Sequence, residues 1–152
     1  MLTRRAVFPL LAGAVVEGQT KQHPNFSGRW VMNEKASDLG ADMRAGYYRE
    51  WLVIDHHEPH IRIDYTVEYD GERTHANYDL TTDGVQIYTE TAKGVDVSMS
   101  AWKGDQLVTD CTIEGSGRAD RVTRYISENG KQLFAAYGKS TKPRWLVFDK
   151  VG

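Results

Sequence analysis

A chain of 152 residues with 40% hydrophobic and 26% charged side chains reads as one globular domain, long enough to bury a core without staples. Its formal net charge of -2 offers no basic stripe for gripping phosphates, which argues against nucleic acid as a partner. Its single cysteine, Cys111, excludes an intrachain disulfide and a zinc site built from cysteines.

The chain opens on what reads as an address. Arg4 and Arg5 supply a positive start, and residues 6–16 form an apolar stretch. That stretch is too short to cross a bilayer, which takes about 20 residues. Residues 1–22 are therefore expected to be an export signal, with a periplasmic or extracellular destination and no membrane span. Thr3-Arg4-Arg5-Ala6-Val7-Phe8 resembles a twin-arginine signal, although the usual lysine is missing and Pro9 sits within the apolar run. An ordinary secretory signal or a buried first helix are the other readings. Ala12-Gly13-Ala14 and Val16-Glu17-Gly18 both fit a cleavage site, and no cysteine lies there to take a lipid.

Beyond the signal, short alternating runs are split by tight-turn residues. Strands are predicted at 29–33, 48–55, 60–69, 75–82, 85–91, 95–102, 107–114, 119–127, 132–139 and 144–150. Asp70-Gly71, Asp83-Gly84, Lys93-Gly94, Gly104-Asp105 and Asn129-Gly130 fall between them. Asp-Gly and Asn-Gly suit type I′ hairpin turns, whose central residues need positive φ. The one longer connection, 34–46, has room for a single helical turn over 35–40 ended by Gly40, or for plain loop. About ten strands joined this way close most economically as one all-β, antiparallel up-and-down barrel, because closure removes the sheet edges. The expected barrel domain is 23–152, and a monomer is expected.

Asn25-Phe26-Ser27-Gly28-Arg29-Trp30, at the head of the first strand, resembles the Gly-x-Trp opening of the calycins, the lipocalins and fatty-acid-binding proteins. The resemblance implies that Gly28 lets the chain turn closely into the barrel and that Trp30 plugs the closed end. It also implies a cavity for a small, mostly apolar ligand. Gly28-Arg29-Trp30 with Asn33-Glu34-Lys35-Ala36-Ser37-Asp38, His57-Glu58-Pro59 and Ser127-Glu128-Asn129-Gly130-Lys131 is similar to a group of small exported bacterial lipocalin-like proteins. That likeness covers most of the chain after the signal and bears on fold more than on activity. Fatty-acid-binding proteins hold a ligand carboxylate with an arginine and a tyrosine one residue apart on the last strand. Matching the terminal acid-Lys-Val places Leu146 and Phe148 there, so this clamp is not expected. The 34–46 connection is too short for the two-helix lid of that branch, and no helix is expected after the last strand.

Alternation assigns the faces. The cleanest run is 60–69, where Ile61, Ile63, Tyr65, Val67 and Tyr69 oppose His60, Arg62, Asp64, Thr66 and Glu68. Leu52 and Ile54 share a face, as do Ala76, Tyr78 and Leu80, and Val85 and Ile87 continue the pattern. The runs 95–102 and 119–127 are mixed: Val95, Val97 and Met99 oppose Trp102, while Val122, Arg124 and Ile126 oppose Arg121, Thr123 and Tyr125. The predicted ligand wall is Leu52, Ile63, Tyr65, Tyr78, Ile87 and Trp102. Arg124 is the candidate polar anchor, because a buried arginine must find an anion. Arg124 or Arg121 has a second reading, implied by the resemblance, as the cap of the Trp30 ring that lipocalins make with an arginine. Tyr65, Tyr78 and Trp102 can also simply fill the barrel.

Asp55-His56-His57-Glu58-Pro59-His60 carries three histidines and two carboxylates, which are metal ligands in kind. Pro59 denies it helical spacing, and its place between two strands makes it a polar turn, so no metal site is expected. His75, weighed as a haem ligand, shares a face with Asn77 and Asp79 and is expected to face solvent; no cofactor is expected. Cys111 lies in the alternating run Leu107, Thr109, Cys111, Ile113 and is expected to act as a small buried hydrophobe. No phosphate loop, nucleophile elbow or paired-acid signature is present, and no catalytic residue is assigned.

The expected function is therefore an exported barrel binding a small hydrophobic or amphipathic molecule. The alternatives are an enzyme on the same scaffold, isomerase- or cyclase-like on a hydrophobic substrate, and a filled barrel acting as an interaction module.

Overall fold

The computed structural model describes residues 22–40, 47–91, 94–113, 118–139 and 142–152, so the predicted export signal lies outside them except for Gln22. Ten strands follow one another: β1 (Gly28–Met32), β2 (Tyr48–His57), β3 (His60–Tyr69), β4 (Glu72–Thr81), β5 (Asp83–Thr91), β6 (Gly94–Lys103), β7 (Gln106–Ile113), β8 (Arg118–Ile126), β9 (Gln132–Tyr137) and β10 (Arg144–Val151). They form one antiparallel sheet in the order β4-β3-β2-β1-β10-β9-β8-β7-β6-β5. The first and last strands pair, with Arg29 opposite Val151 and Met32 opposite Phe148, and the sheet curls into a nearly closed barrel. The all-β up-and-down architecture read from the turn spacing is the one observed.

Two connections differ from expectation, each for a local reason, and a third holds the single turn for which it has room. Asp70 and Gly71 both adopt positive φ, at 50° and 80°, so the turn is tight enough for β4 to begin at Glu72 rather than at His75. Asp83-Gly84 does not close a hairpin. The Thr82 N–H donates to Pro59 O at 2.8 Å, and β5 starts at Asp83 with a bulge before Gln86. The chain there passes from one edge of the sheet to the other, because β4 and β5 are the edge strands. In the 34–46 connection, Ser37 N–H donates to Asn33 O at 3.1 Å and Gly40 has φ of 68°, a single turn with no helix among the described residues. The Ser37 hydroxyl accepts from Val147 N–H at 2.9 Å and so ties that turn to β10.

The core concentrates at one end. Trp30, Phe26, Phe148, Leu107 and Leu133 are fully buried there, with Leu52, Ile54, Ile61, Ile63 and Leu80 around them. Each such side chain stabilises the fold by about 1.5–3 kcal/mol through area removed from water. Trp30 donates its indole N–H to Phe26 O at 3.0 Å. The cation over its ring is Lys150, whose Nζ stands 5.4 Å from the ring centroid, and not Arg124 or Arg121. Arg121 instead makes a two-pronged bond to Asp110, at 2.7 and 3.0 Å. Gly28 sits at φ 143°, a conformation that other residues rarely adopt, and a Cβ there would also press on the flexible end of Lys150, 2.9 Å from Cε.

The segment before β1 closes this end. His23 stacks on Trp102 at 4.5 Å between ring centres, and Phe26 stacks on Trp102 at 5.5 Å and on His56 at 5.7 Å. His56 is buried and accepts the Phe26 N–H on Nδ1 at 3.1 Å. Its Nε2 therefore carries the proton and donates to Glu58 Oε1 at 3.0 Å. The Trp102 indole N–H joins the same oxygen at 2.9 Å, and Thr82 donates its hydroxyl to the other. Burial raises the Glu58 carboxyl, but the bonds from Thr82, His56 and Trp102 outweigh it and hold the group below the usual carboxylate range.

Candidate functional site

The other half of the barrel encloses a cavity of about 460 Å³. This lies within the range of roughly 300–1,000 Å³ typical of small-molecule sites. Alternation along each strand decides what faces it. From β2 come Tyr48, Glu50 and Leu52, and from β3 come Ile63 and Tyr65. Tyr78 and Leu80 follow on β4, with Leu133, Ala135 and Tyr137 on β9 and Arg144, Leu146 and Phe148 on β10. This side of the wall is mostly apolar toward the closed end and turns to tyrosines toward the mouth. Tyr65 and Tyr78 stack at 5.3 Å and share a hydrogen bond of 3.1 Å between their hydroxyls.

The facing side is polar. Thr89 on β5, Asp96 and Ser98 on β6, Cys111 on β7, and Asp120 and Arg124 on β8 all line the cavity. Ser98 sits opposite Cys111, and Cys111 opposite Asp120, so these groups form one continuous patch. Below it Ser100 and Thr109, both buried, bond to one another at 2.9 Å. Arg124 Nη1 reaches Thr109 Oγ1 at 3.4 Å. Asp96 Oδ1 is buried without a hydrogen-bond partner among the described residues.

Among the described residues Glu50 is the most deeply placed carboxyl group, at 6% exposure. It accepts the Tyr48 hydroxyl at 2.7 Å. Burial raises its carboxyl above the ordinary range, against the lowering pull of that bond and of the Arg124 and Arg144 charges. Burial also pushes the Tyr137 phenol up to about 12, with Glu50 adding to the effect. Tyr48 and Tyr65 are raised in the same way, burial first. Arg144 donates to the carbonyls of Asp38 and Leu39, both at 3.0 Å, and so anchors the turn after β1 to the mouth of the cavity.

Of the predicted wall, Leu52, Ile63, Tyr65, Tyr78 and Arg124 meet around the cavity. Ile87 is partly buried on β5 but does not line it. Trp102 lies at the opposite end, held by His23, Phe26 and Glu58, because β6 runs from the mouth to the closed end and Trp102 is near its last residue. The Leu146 and Phe148 positions on β10 are apolar cavity wall. Cys111 is half-buried against the cavity rather than sealed in the core; burial pushes its thiol up and Asp96 adds to that.

The sequence reading missed Glu50, Asp96, Asp120 and Tyr137. Glu50 carried a signal, since it falls in phase with Leu52 and Ile54. Asp96 was hidden because Val95, Val97 and Met99 competed for the inner face of the same strand. The structure turns those three outward, with Met99 43% exposed. The register with β7 sets Asp96, Ser98 and Ser100 inside together with Trp102.

The histidine-rich turn divides among separate roles. His56 is part of the closed end, while His57 is exposed and pairs with Asp55 at 2.9 Å. His75 is exposed on the outer face, bonded to the Thr66 hydroxyl at 2.8 Å. Among the described residues no group of three or more His, Cys, Asp or Glu side chains is arranged to hold a metal ion. Among the described residues no helix is long and apolar enough to cross a membrane.

No protein-family model matches the sequence, and no curated protein matches it. Solved structures match the fold. Secretory abundant heat soluble protein 4 from Ramazzottius varieornatus superposes with a TM-score of 0.61 at 15% identity, covering 83% of this chain and 94% of that one. Human cRBP IV gives 0.58 at 14% identity, over 84% of this chain and 99% of that one. The REP1-NXSQ fatty acid transporter gives 0.55 at 14% identity, over 83% and 96%. At such identities the likeness carries the architecture and nothing finer. The barrel is calycin-like in fold, as the Gly28 and Trp30 opening implied.

Proposed function

We propose that this chain is an exported lipocalin-like carrier that takes a small hydrophobic or amphipathic molecule into the barrel. The observation that supports it is the 460 Å³ cavity with an apolar side and a polar side facing each other. A filled barrel would have no such space. Leu52, Ile63, Leu133, Leu146 and Phe148 offer an apolar chain its burial, worth about 0.8 kcal/mol per methylene. The polar side fixes orientation. The neighbour named as a fatty acid transporter has this architecture, which accords with the reading.

The test is native mass spectrometry of the protein purified from its own host compartment. A reproducible added mass that disappears on denaturation is expected. A bare mass together with no uptake from a lipid extract would overturn the proposal. The start of the purified chain, read by N-terminal sequencing, tests export: cleavage near Ala14 or Gly18 is expected.

One observation favours a second reading, an isomerase- or cyclase-like enzyme. Glu50 is an inward, buried carboxyl with a raised pKa, the type of group a proton-transfer reaction uses. Under that reading Glu50→Gln retains ligand uptake but loses turnover of the bound molecule. Recovery of the ligand chemically unchanged from both proteins would sink it.

A further inference from the structure

The charge pattern inside the cavity points to the class of ligand. We propose that the ligand is a cationic amphipath, whose protonated amine is received by the Asp96 and Asp120 carboxylates while its apolar part lies against the β2, β9 and β10 wall. This rests on the carrier reading above and specifies it.

The first support is an unmet need. Asp96 Oδ1 is buried at the cavity wall with no donor among the described residues. Buried carboxylate oxygens are costly unless hydrogen-bonded. Asp120, itself exposed, lines the same cavity and adds a second negative charge to it. Asp120 stands opposite Cys111, and the charges of Asp96, Arg124 and Asp120 all act on its thiol, so the patch holds one cation beside its two carboxylates. A protonated amine brings three donors and a compensating charge, where a hydroxyl brings one donor and no charge.

The second support is the state of the arginines. Arg124 bonds to Thr109, and its charge acts on the buried Glu50. Arg144 is held by the Asp38 and Leu39 carbonyls and also acts on Glu50. A carboxylate ligand would have to compete with Glu50 for these two cations while facing Asp96 and Asp120 across the cavity. Like charges sharing one cavity oppose one another. On the last strand Leu146 and Phe148 offer it no polar group, and Arg144 is the one held by the Asp38 and Leu39 carbonyls.

Three probes of equal chain length separate the possibilities: decylamine, decanol and decanoate. Their binding to the full chain is measured by titration calorimetry near neutral pH at physiological salt. Decylamine is expected to bind tightest, by about tenfold or more over decanoate. In the Asp96→Asn/Asp120→Asn protein the ratio of amine to alcohol affinity is expected to fall toward one. Circular dichroism confirms that this protein is folded; if it is not, Asp96→Asn alone carries the same ratio test. Decanoate or decanol binding as tightly as decylamine would overturn the amine assignment and leave the carrier reading standing. An unchanged amine-to-alcohol ratio in the variant would overturn the assignment of the site. Failure of all three probes to bind would count against the carrier reading itself, and the amine proposal would fall with it.

Discussion

The two ends of this barrel handle interior polar groups in opposite ways. At the closed end His56 uses both ring nitrogens, Glu58 receives three donors, and the Trp30 and Trp102 indoles each find an oxygen. At the cavity end Asp96 keeps a buried oxygen without a partner among the described residues, and Arg124 makes a long contact to Thr109. Among the described residues the closed end leaves one buried nitrogen, His23 Nδ1, without a partner, while its buried histidine, its carboxylate and its two indoles are all bonded. A completed network fixes a single packing, whereas an incomplete one beside open space is suited to receiving a group from outside. The closed end is thus the part built for stability, and the cavity the part that gives stability up.

The sharpest way to break this contrast is at Trp30. Its ring is 1% exposed, bonded to Phe26 O and covered by Lys150. Trp30→Ala is expected to cost about 3–5 kcal/mol, because the cavity left in a rigid core cannot collapse. The shift in urea midpoint at unchanged slope measures it. A loss below about 1 kcal/mol would mean that the closed end is not where the fold is held.

Next in size is His56→Ala. The substitution removes the acceptor of the buried Phe26 N–H and one donor to Glu58, as well as a ring in the Phe26 and Trp102 stack. The expected cost is about 2–3 kcal/mol, mostly from the polar groups left unmatched. His57→Ala, one residue on and exposed, is expected to change stability by no more than about 0.5 kcal/mol. Equal effects at the two positions would contradict the division between a structural and a surface histidine.

A smaller effect follows from pH. Three hydrogen bonds hold the Glu58 carboxyl below its unfolded value despite burial. A depressed acid contributes stability that is present above the unfolded pKa and is lost as pH falls through the folded one. The wild type is therefore expected to lose urea resistance on acidification more steeply than Glu58→Gln does. The side chain is 47% exposed, so solvent screening keeps the difference modest and added salt shrinks it. Parallel acid limbs for the two proteins would show that Glu58 does not depend on its charge.

Much of the fold was legible because it rests on local chemistry. Asp70-Gly71 and Asn129-Gly130 mark turns by their φ demands, and Ile61 to Tyr69 shows a single clean alternation. The ends of the sheet were less legible. Asp83-Gly84 carries the same turn residues, yet whether it joins paired or unpaired strands depends on Pro59, which is distant along the chain. The cavity was half legible for a similar reason. Leu52, Ile63, Tyr65 and Tyr78 lie on strands whose apolar phase is unopposed. Asp96 and Asp120 lie on strands with side chains of both kinds on each face, where cross-strand register and not local pattern decides which face turns inward. Trp102 was expected in the wall, whereas its position along β6 decides that it belongs to the closed end.

The smallest expected effect on stability is also the one that most directly opposes the two ends. Asp96→Asn without ligand is expected to leave the unfolding free energy within about 0.5 kcal/mol of wild type, or to raise it. The reason is the buried Oδ1 without a partner: a neutral amide of the same shape costs less to desolvate, and no bond within the protein is lost at that oxygen. His56 is fully buried and Asp96 partly so, and both are polar, inward and on strands, so burial alone would predict a loss at each. Completed bonding predicts a large loss at His56 and almost none at Asp96. Thermal unfolding of the two variants side by side decides between these accounts. A loss at Asp96 as large as that at His56 would mean that its carboxylate is bonded within the folded protein, and the cavity end would then be as closed, energetically, as the end that Trp30 plugs.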